Sequence, residues 1–268
     1  MSKVVLITGA SAGMGKTTAC YLAKKGHKVY GASRSANPGD CIEGVVALKM
    51  DVCNEVSVKE AVQTILDIEG KIDVLVNNAG LGFIGSIEDT SDVEAKALFE
   101  TNVFGLMNVC RAVLPAMRLA KSGTIINISS LAGLMGLPYR GIYSATKASV
   151  LSITEALSSE VKQFNIQVCS VLPGDFKTSV NENRRTAIAG KQSVYKTQMN
   201  SLNDLVNREV EHAEAPIAIA TKIEAIINSR SPKLHYKVAR PMQKISTILH
   251  FFLPGRWFEK ILMNHYKM

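Results

Sequence analysis

The chain has 268 residues, 47% of them hydrophobic and 20% charged, enough for one large α/β domain or two small ones around a substantial core. Its formal net charge is +8, but from Arg230 to Met268 eight Lys and Arg face a single acid, Glu259, so +7 of the total belongs to the tail. Residues 1–229 are almost neutral, which argues against a main domain that grips nucleic acid. No uninterrupted apolar run reaches the ~18 residues of a bilayer span, and Val4–Ile7 is too short for a signal peptide, so a cytoplasmic protein is expected. Cys20, Cys41, Cys53, Cys110 and Cys169 form no C-x-x-C pair and have no histidine at metal-ligand spacing. Neither a metal site nor a disulfide framework is expected from them.

Val4-Val5-Leu6-Ile7 is an unbroken aliphatic run, as in a central parallel strand covered on both faces. It empties into Thr8-Gly9-Ala10-Ser11-Ala12-Gly13-Met14-Gly15, and a helix is predicted from Lys16 to Lys25, closing at Gly26. Glycines let backbone approach a pyrophosphate, and free amides at a helix start offer an anion site. Gly15-Lys16-Thr17 also matches the end of a nucleoside-triphosphate loop, but that motif needs a glycine where residue 10 is alanine. Lys16 then reads as an exposed first-turn lysine.

A second strand, Lys28 to Ser33, is followed by Arg34. An acid there would pair with both ribose hydroxyls of NAD(H); a guanidinium and a hydroxyl suit a 2′-phosphate instead, so NADP(H) is favoured over NAD(H). Arg34 as an ordinary surface residue is the plainer alternative. Val45 to Met50 is a third strand, closed by Asp51-Val52, where Asp51 could equally cap a helix beginning at Glu55. Asp73 to Asn77 is a fourth, running into Asn78-Ala79-Gly80; two amides can tie neighbouring strands, and small residues leave room for a ribose. Ser91 to Arg118 reads as one long helix with Asn102 inside it, where a polar residue needs a reason.

Ile125 to Ser130 is an apolar strand ending in hydroxyls, and after a glycine-bearing loop a helix is predicted from Ile142 to Phe164. On it Tyr143 and Lys147 stand four residues apart, on one face. A phenol is a poor proton donor at neutral pH unless a charge such as a neighbouring ammonium favours its ionised form. Strand six, Ile166 to Leu172, leads to Pro173-Gly174-Asp175-Phe176-Lys177-Thr178. Residues 179–214 are polar, Ala215 to Ser229 is a further helix, and Leu234 to Val238 a last strand. In the tail from Pro241, Ile245, Ile248, Leu249 and Phe252 recur at helical spacing until Pro254-Gly255 restarts the pattern at Trp257. Such a basic-flanked stripe can lie in a membrane interface or pack on the protein's own core or a dimer mate.

The Thr8–Gly15 turn, the Asn77–Gly80 segment, Ser130 thirteen positions before Tyr143, Lys147, and Pro173-Gly174-x-x-x-Thr178 together resemble the short-chain dehydrogenase/reductase family. The resemblance runs from Lys3 to about Thr178. It implies one doubly wound, mostly parallel Rossmann domain over 1–240, a substrate flap at about 179–214 and a basic amphipathic tail at 241–268. It implies that Ser130 orients a substrate oxygen, Tyr143 exchanges its proton, Lys147 assists, and Asn102 kinks its helix and holds a relay water. Cofactor contacts are expected at Thr8, Gly9, Ser11, Gly13, Met14, Gly15, Ser33, Arg34, Asp51, Val52, Asn77, Ala79, Gly80, Tyr143, Lys147, Pro173, Gly174 and Thr178. A hydrophobic ketone or alcohol, of lipid, long-chain or steroid type, is expected against Ser130, Met135, Tyr143, Gly174 and Phe176. The resemblance also implies a homodimer or homotetramer through the helices around Asn102 and Ser152. The competing reading is a dinucleotide-binding regulator with this fold and no turnover.

Overall fold

The computed structural model describes residues 2–37, 40–177, 184–211 and 213–266. Its strands are β1 (Val4–Thr8), β2 (Lys28–Ser33), β3 (Cys41–Ile42), β4 (Val45–Lys49), β5 (Val74–Asn77), β6 (Phe83–Ile84), β7 (Gly123–Ile128), β8 (Ile166–Pro173), β9 (Arg185–Thr186) and β10 (His235–Val238). Eight of them form one sheet in the order β10-β8-β7-β5-β1-β2-β4-β3, parallel throughout except where β3 meets β4. β6 and β9 pair separately.

Side chains alternate along each strand, and both faces are covered. Val5, Ile7, Val29, Val76, Ile126 and Val171 pack towards α1 (Gly13–Lys24) and α7 (Ile217–Ile227). Leu6, Tyr30, Leu75, Ile125 and Val168 face the opposite layer of α2 (Glu55–Glu69), α4 (Gly105–Ala120) and α5 (Gly141–Glu160). With no wet face to mark, the sequence shows unbroken aliphatic runs. Each fully buried Leu or Ile contributes roughly 1.5–3 kcal/mol.

β1 lies between β2 and β5, so chain order reverses there and a crevice opens beyond the strands' carboxyl ends. The predicted doubly wound sheet is the one observed. Helix ends differ in detail: α1 begins at Gly13, and α5 gives way at Glu160 to a 3-10 turn over Lys162–Phe164.

The predicted long helix is α3 (Asp92–Phe99), a π-helical turn over Glu100–Phe104, and α4. Its 29 residues from Asp92 to Ala120 are long and apolar enough to cross a membrane, which a count of uninterrupted apolar runs did not reveal. Leu98, Val109, Val113 and Met117 on it are buried, however, and it serves as a core helix. Within 179–214, expected to be a polar flap, lies a four-turn helix, α6 (Lys196–Glu211), buried through Met199, Leu202, Val206 and Val210. The tail folds as α8 (Pro241–Phe252) and α9 (Gly255–Tyr266), and Thr247, Phe258 and Tyr266 anchor it to the domain.

Candidate active site

The glycine turn is shaped for close approach. Gly9 and Gly13 hold positive φ, +67° and +55°, which a side chain would strain. A Cβ on Gly15 would run into the Gly9 carbonyl and the Asn78 amide, so α1 can sit against β1 only with glycine there. Ala12 caps α1 with no side-chain hydrogen bond and the first turn holds no acid, leaving its first amides and positive dipole end for an anion. Ser11 is exposed beside them, and Met14 packs on the α1–α7 core layer. This cradle fits the pyrophosphate of a dinucleotide.

The two amides after β5 divide their work in an order the sequence did not predict. Asn78 Nδ2 donates to the Thr8 and Gly9 carbonyls at 3.0 and 3.2 Å, and the Asn78 and Ala79 amides both donate to Thr8 Oγ1 at 3.0 Å. These bonds staple β1 to β5 at the crevice. Asn77, expected at the cofactor, is instead buried, donating to Cys110 Sγ and to Asn127 Oδ1 at 3.0 Å. Its side chain faces the interior because alternate residues of a strand point to opposite faces. Asp51 accepts from the Cys53 amide at 3.0 Å, and the cap of α2 is Asn54, which accepts from Ser57. Val52 packs on Gly105 and accepts from Asn108 through its carbonyl. Ser33 is half-buried at the end of β2, and the exposed Arg34 guanidinium makes no hydrogen bond or ion pair among the described residues.

On the other side of the crevice, β7 ends in Ser129 and Ser130. Ser129 Oγ donates to the Lys147 carbonyl at 2.8 Å, and Lys147 Nζ donates to the Ile128 carbonyl at 3.0 Å, which locks α5 to that strand end. Gly133 makes this contact close: a Cβ there would lie 2.8 Å from the Lys147 carbonyl. Lys147 is 6% exposed, and its ammonium lies 5.9 Å from the centre of the Tyr143 ring. Burial pushes the Lys147 pKa down, while Tyr143 pulls it back up. Ser130 Oγ accepts from the Ala132 amide at 3.1 Å, starting a short 3-10 turn. Tyr143 is half-buried against Phe83, Leu98 and Ala187, with the Arg140 guanidinium 5.4 Å from its ring centre.

Asn102 is 1% exposed in the π-helical turn. It clamps Leu81, accepting from its amide at 2.7 Å and donating to its carbonyl at 3.0 Å, and also donates to Thr146 Oγ1 at 3.1 Å. Its Oδ1 and Lys147 Nζ flank Gly80: a Cβ on that glycine would sit 3.2 and 3.5 Å from them. The smallness of Gly80 thus keeps open a space bordered by the lysine.

The substrate end differs more from expectation. Phe176, expected to touch substrate, is buried in the α1–α7 core layer, its backbone bridged to Glu214. Met135 is half-buried in the loop; nearby Leu131 and Leu134 pack on Leu151, and Leu137 and Tyr139 on α6 and α9. Pro173 ends β8 beside Val238, and Thr178 lies outside the described residues. Gly174 is covered by the tail: a Cβ there would strike the Gln243 carboxamide. The sequence did not foretell that Gln243 of the tail lies over Gly174 and donates to Asp175.

A family model of the short chain dehydrogenases matches residues 3–189. The 3-ketodihydrosphingosine reductase of Bacteroides thetaiotaomicron is 40% identical over 265 residues, covering 98% of each chain. Among solved structures, a short chain dehydrogenase/reductase from Burkholderia phymatum in complex with NAD superposes with a TM-score of 0.77 at 25% identity, over 93% of each chain. ElxO with NADP bound superposes with a TM-score of 0.72 at 25% identity, over 89% of this chain and 98% of its own. With its model matching residues 3–189 and a 40% identical relative covered end to end, the chain belongs to the short-chain dehydrogenase/reductase family of oxidoreductases.

Proposed function

We propose that the protein is an NADP(H)-dependent oxidoreductase that interconverts a ketone and a secondary alcohol on a long-chain, lipid-like substrate, with Tyr143 as general acid and base. The observation that carries this is the shared face of α5, where the buried Lys147 ammonium stands beside Tyr143 at the strand end that bears Ser130.

When bound, the nicotinamide supplies or accepts the hydride. Ser130 holds the carbonyl oxygen, Tyr143 gives it a proton, and in the oxidative direction Tyr143 takes that proton back. Lys147 favours the charge left on Tyr143: a unit charge at ~6 Å with an effective dielectric of ~20 is worth about 3 kcal/mol. Asn102 holds Leu81 beside Gly80 and feeds the proton relay. Arg34, free after β2 with no acid beside it, grips the 2′-phosphate and sets the preference for NADP(H). The lipid-like substrate class rests on the 40% identity to the 3-ketodihydrosphingosine reductase. We place the enzyme in the cytoplasm as a homo-oligomer whose tail touches the membrane surface.

The test is consumption of NADPH absorbance with 3-ketodihydrosphingosine and with simpler long-chain ketones. Tyr143→Phe should abolish turnover with NADPH still bound; undiminished turnover removes Tyr143 from the mechanism. Arg34→Glu should lower the ratio of kcat/KM with NADPH to that with NADH by about 10- to 100-fold, the value of one lost charge-assisted contact.

A further inference from the structure

Arg140 is the residue from which α5 starts, and the mechanism above does not use it. Its backbone is fixed on both sides: the amide donates to the Leu137 carbonyl at 3.1 Å, and the carbonyl accepts from the Ser144 amide at 2.8 Å. Arg140 stands three positions before Tyr143 and Lys147 four after it, so the three side chains make one stripe along a single face. The distances agree. The guanidinium carbon lies 5.4 Å from the centre of the Tyr143 ring, and the Lys147 ammonium 5.9 Å from the same point.

A cation over an aromatic face is attracted by the ring's electron density. When the phenol loses its proton, negative charge spreads from the oxygen into the ring, and the attraction becomes one between opposite full charges. A cation in this place therefore favours the ionised ring over the neutral one. The two cations differ in how firmly they keep their charge. Burial pushes the Lys147 pKa down, whereas a guanidinium stays charged throughout an enzyme's working range. Arg140 is half-buried, so solvent screens part of its effect. The other ionisable groups facing this pair are Arg184, Asp175, Glu209 of α6 and Tyr266 of α9. Asp175 is bound by Gln243 and Glu209 is paired with His265, and Arg140 forms no ion pair with either acid among the described residues.

We infer that Arg140 is a positioning residue that acts through Tyr143: a permanent cation held over its ring, which together with Lys147 favours the ionised form of that tyrosine. This rests on the reading of Tyr143 as general acid and base, and deepens it.

The experiment compares the native chain, Arg140→Gln and Arg140→Lys, each loaded with NADP, by two readouts. One is the ultraviolet titration of ionised tyrosine, taken as the difference from the same protein carrying Tyr143→Phe. The other is the pH profile of kcat/KM for reduction of 3-ketodihydrosphingosine, which falls where Tyr143 no longer holds the proton it gives. In Arg140→Gln the Tyr143 signal should appear at a pH higher by roughly 0.5–1, and the alkaline fall of the rate should move up with it. Arg140→Lys restores the charge without the planar guanidinium and should return about half of that displacement. Arg140→Met takes the place of Arg140→Gln if that variant does not fold. An unmoved titration, or a rate lowered equally at every pH, overturns the inference and leaves the reductase intact. A displacement as large in Arg140→Lys as in Arg140→Gln overturns it too, since charge is then not the cause. A native chain that reduces no ketone overturns the reductase reading, and this inference with it.

Discussion

Asn102 shows how one buried side chain can tie three segments together. It satisfies the amide and carbonyl of Leu81 and reaches Thr146 on α5, so the π-helical turn, the segment after β5 and α5 meet on it. Asn102→Ala leaves both Leu81 groups without their partner. Leu81 is half-buried and water can replace part of the loss, so a destabilisation of about 1–3 kcal/mol is expected. It would be read as a lower denaturant midpoint at unchanged slope. Gly15 makes the opposite point, since there the missing atom matters. Gly15→Ala forces α1 away from the Gly9 carbonyl, and overpacking of this kind costs about 1–3 kcal/mol, so NADPH affinity should fall about 10- to 100-fold in a fluorescence titration. Gly136→Ala, where nothing lies within 4 Å of the added atom, should leave that affinity unchanged.

At the scale of elements, what could be read from the sequence depended on how local the cause was. The aliphatic runs of β1, β5 and β7 declare their burial, and the four-residue spacing of Tyr143 and Lys147 declares a shared face, because both follow from backbone period alone. The sequence points to Asn77 as the cofactor contact and leaves Asn78 open, since which amide turns inward is set by how β5 lies against β1 and β7. α6 was hidden by its polar composition, although Met199, Leu202, Val206 and Val210 carry a helical stripe. The reason for α6 lies outside it: that stripe is buried with Ile84 and with Tyr266 of α9. His265 Nε2 pairs with Glu209 of α6 at 3.3 Å, and that hydrogen bond raises the histidine pKa. A raised folded-state value means the contribution to docking is full below the ordinary ~6.5 and is lost as pH rises through the folded value. Protection of the α9 amides, taken relative to their intrinsic exchange rate at each pH, should therefore fall as pH rises above the ordinary histidine value, and His265→Gln should remove that fall. Protection that stays constant with pH in the native chain would separate α9 docking from this pair.

For the whole molecule, the tail has two sides with different fates. One holds Thr247, Phe258 and Tyr266 against the domain and lays Gln243 over Gly174. The other leaves Phe251 81%, Phe252 75% and Trp257 66% exposed, near Lys244, Arg256 and Lys260. Since +7 of the net +8 lies from Arg230 onwards, the strongly basic end of the chain also carries exposed aromatic rings. Aromatic rings backed by cations suit an anionic bilayer interface, where each nearby Lys or Arg contributes about 1 kcal/mol and each ring adds its buried area. Cutting the chain at Arg240 is a poor test, because it also removes the Gln243 bond to Asp175 and the packing of Tyr266 against α6. The triple variant Phe251→Ser, Phe252→Ser, Trp257→Ser changes only the outward side. It should fail to float with phosphatidylglycerol vesicles that carry the native chain, and should lose turnover of a vesicle-embedded ketone while keeping that of a short soluble one. Equal flotation of the two proteins, or flotation of neither, would leave the outward side without a membrane role.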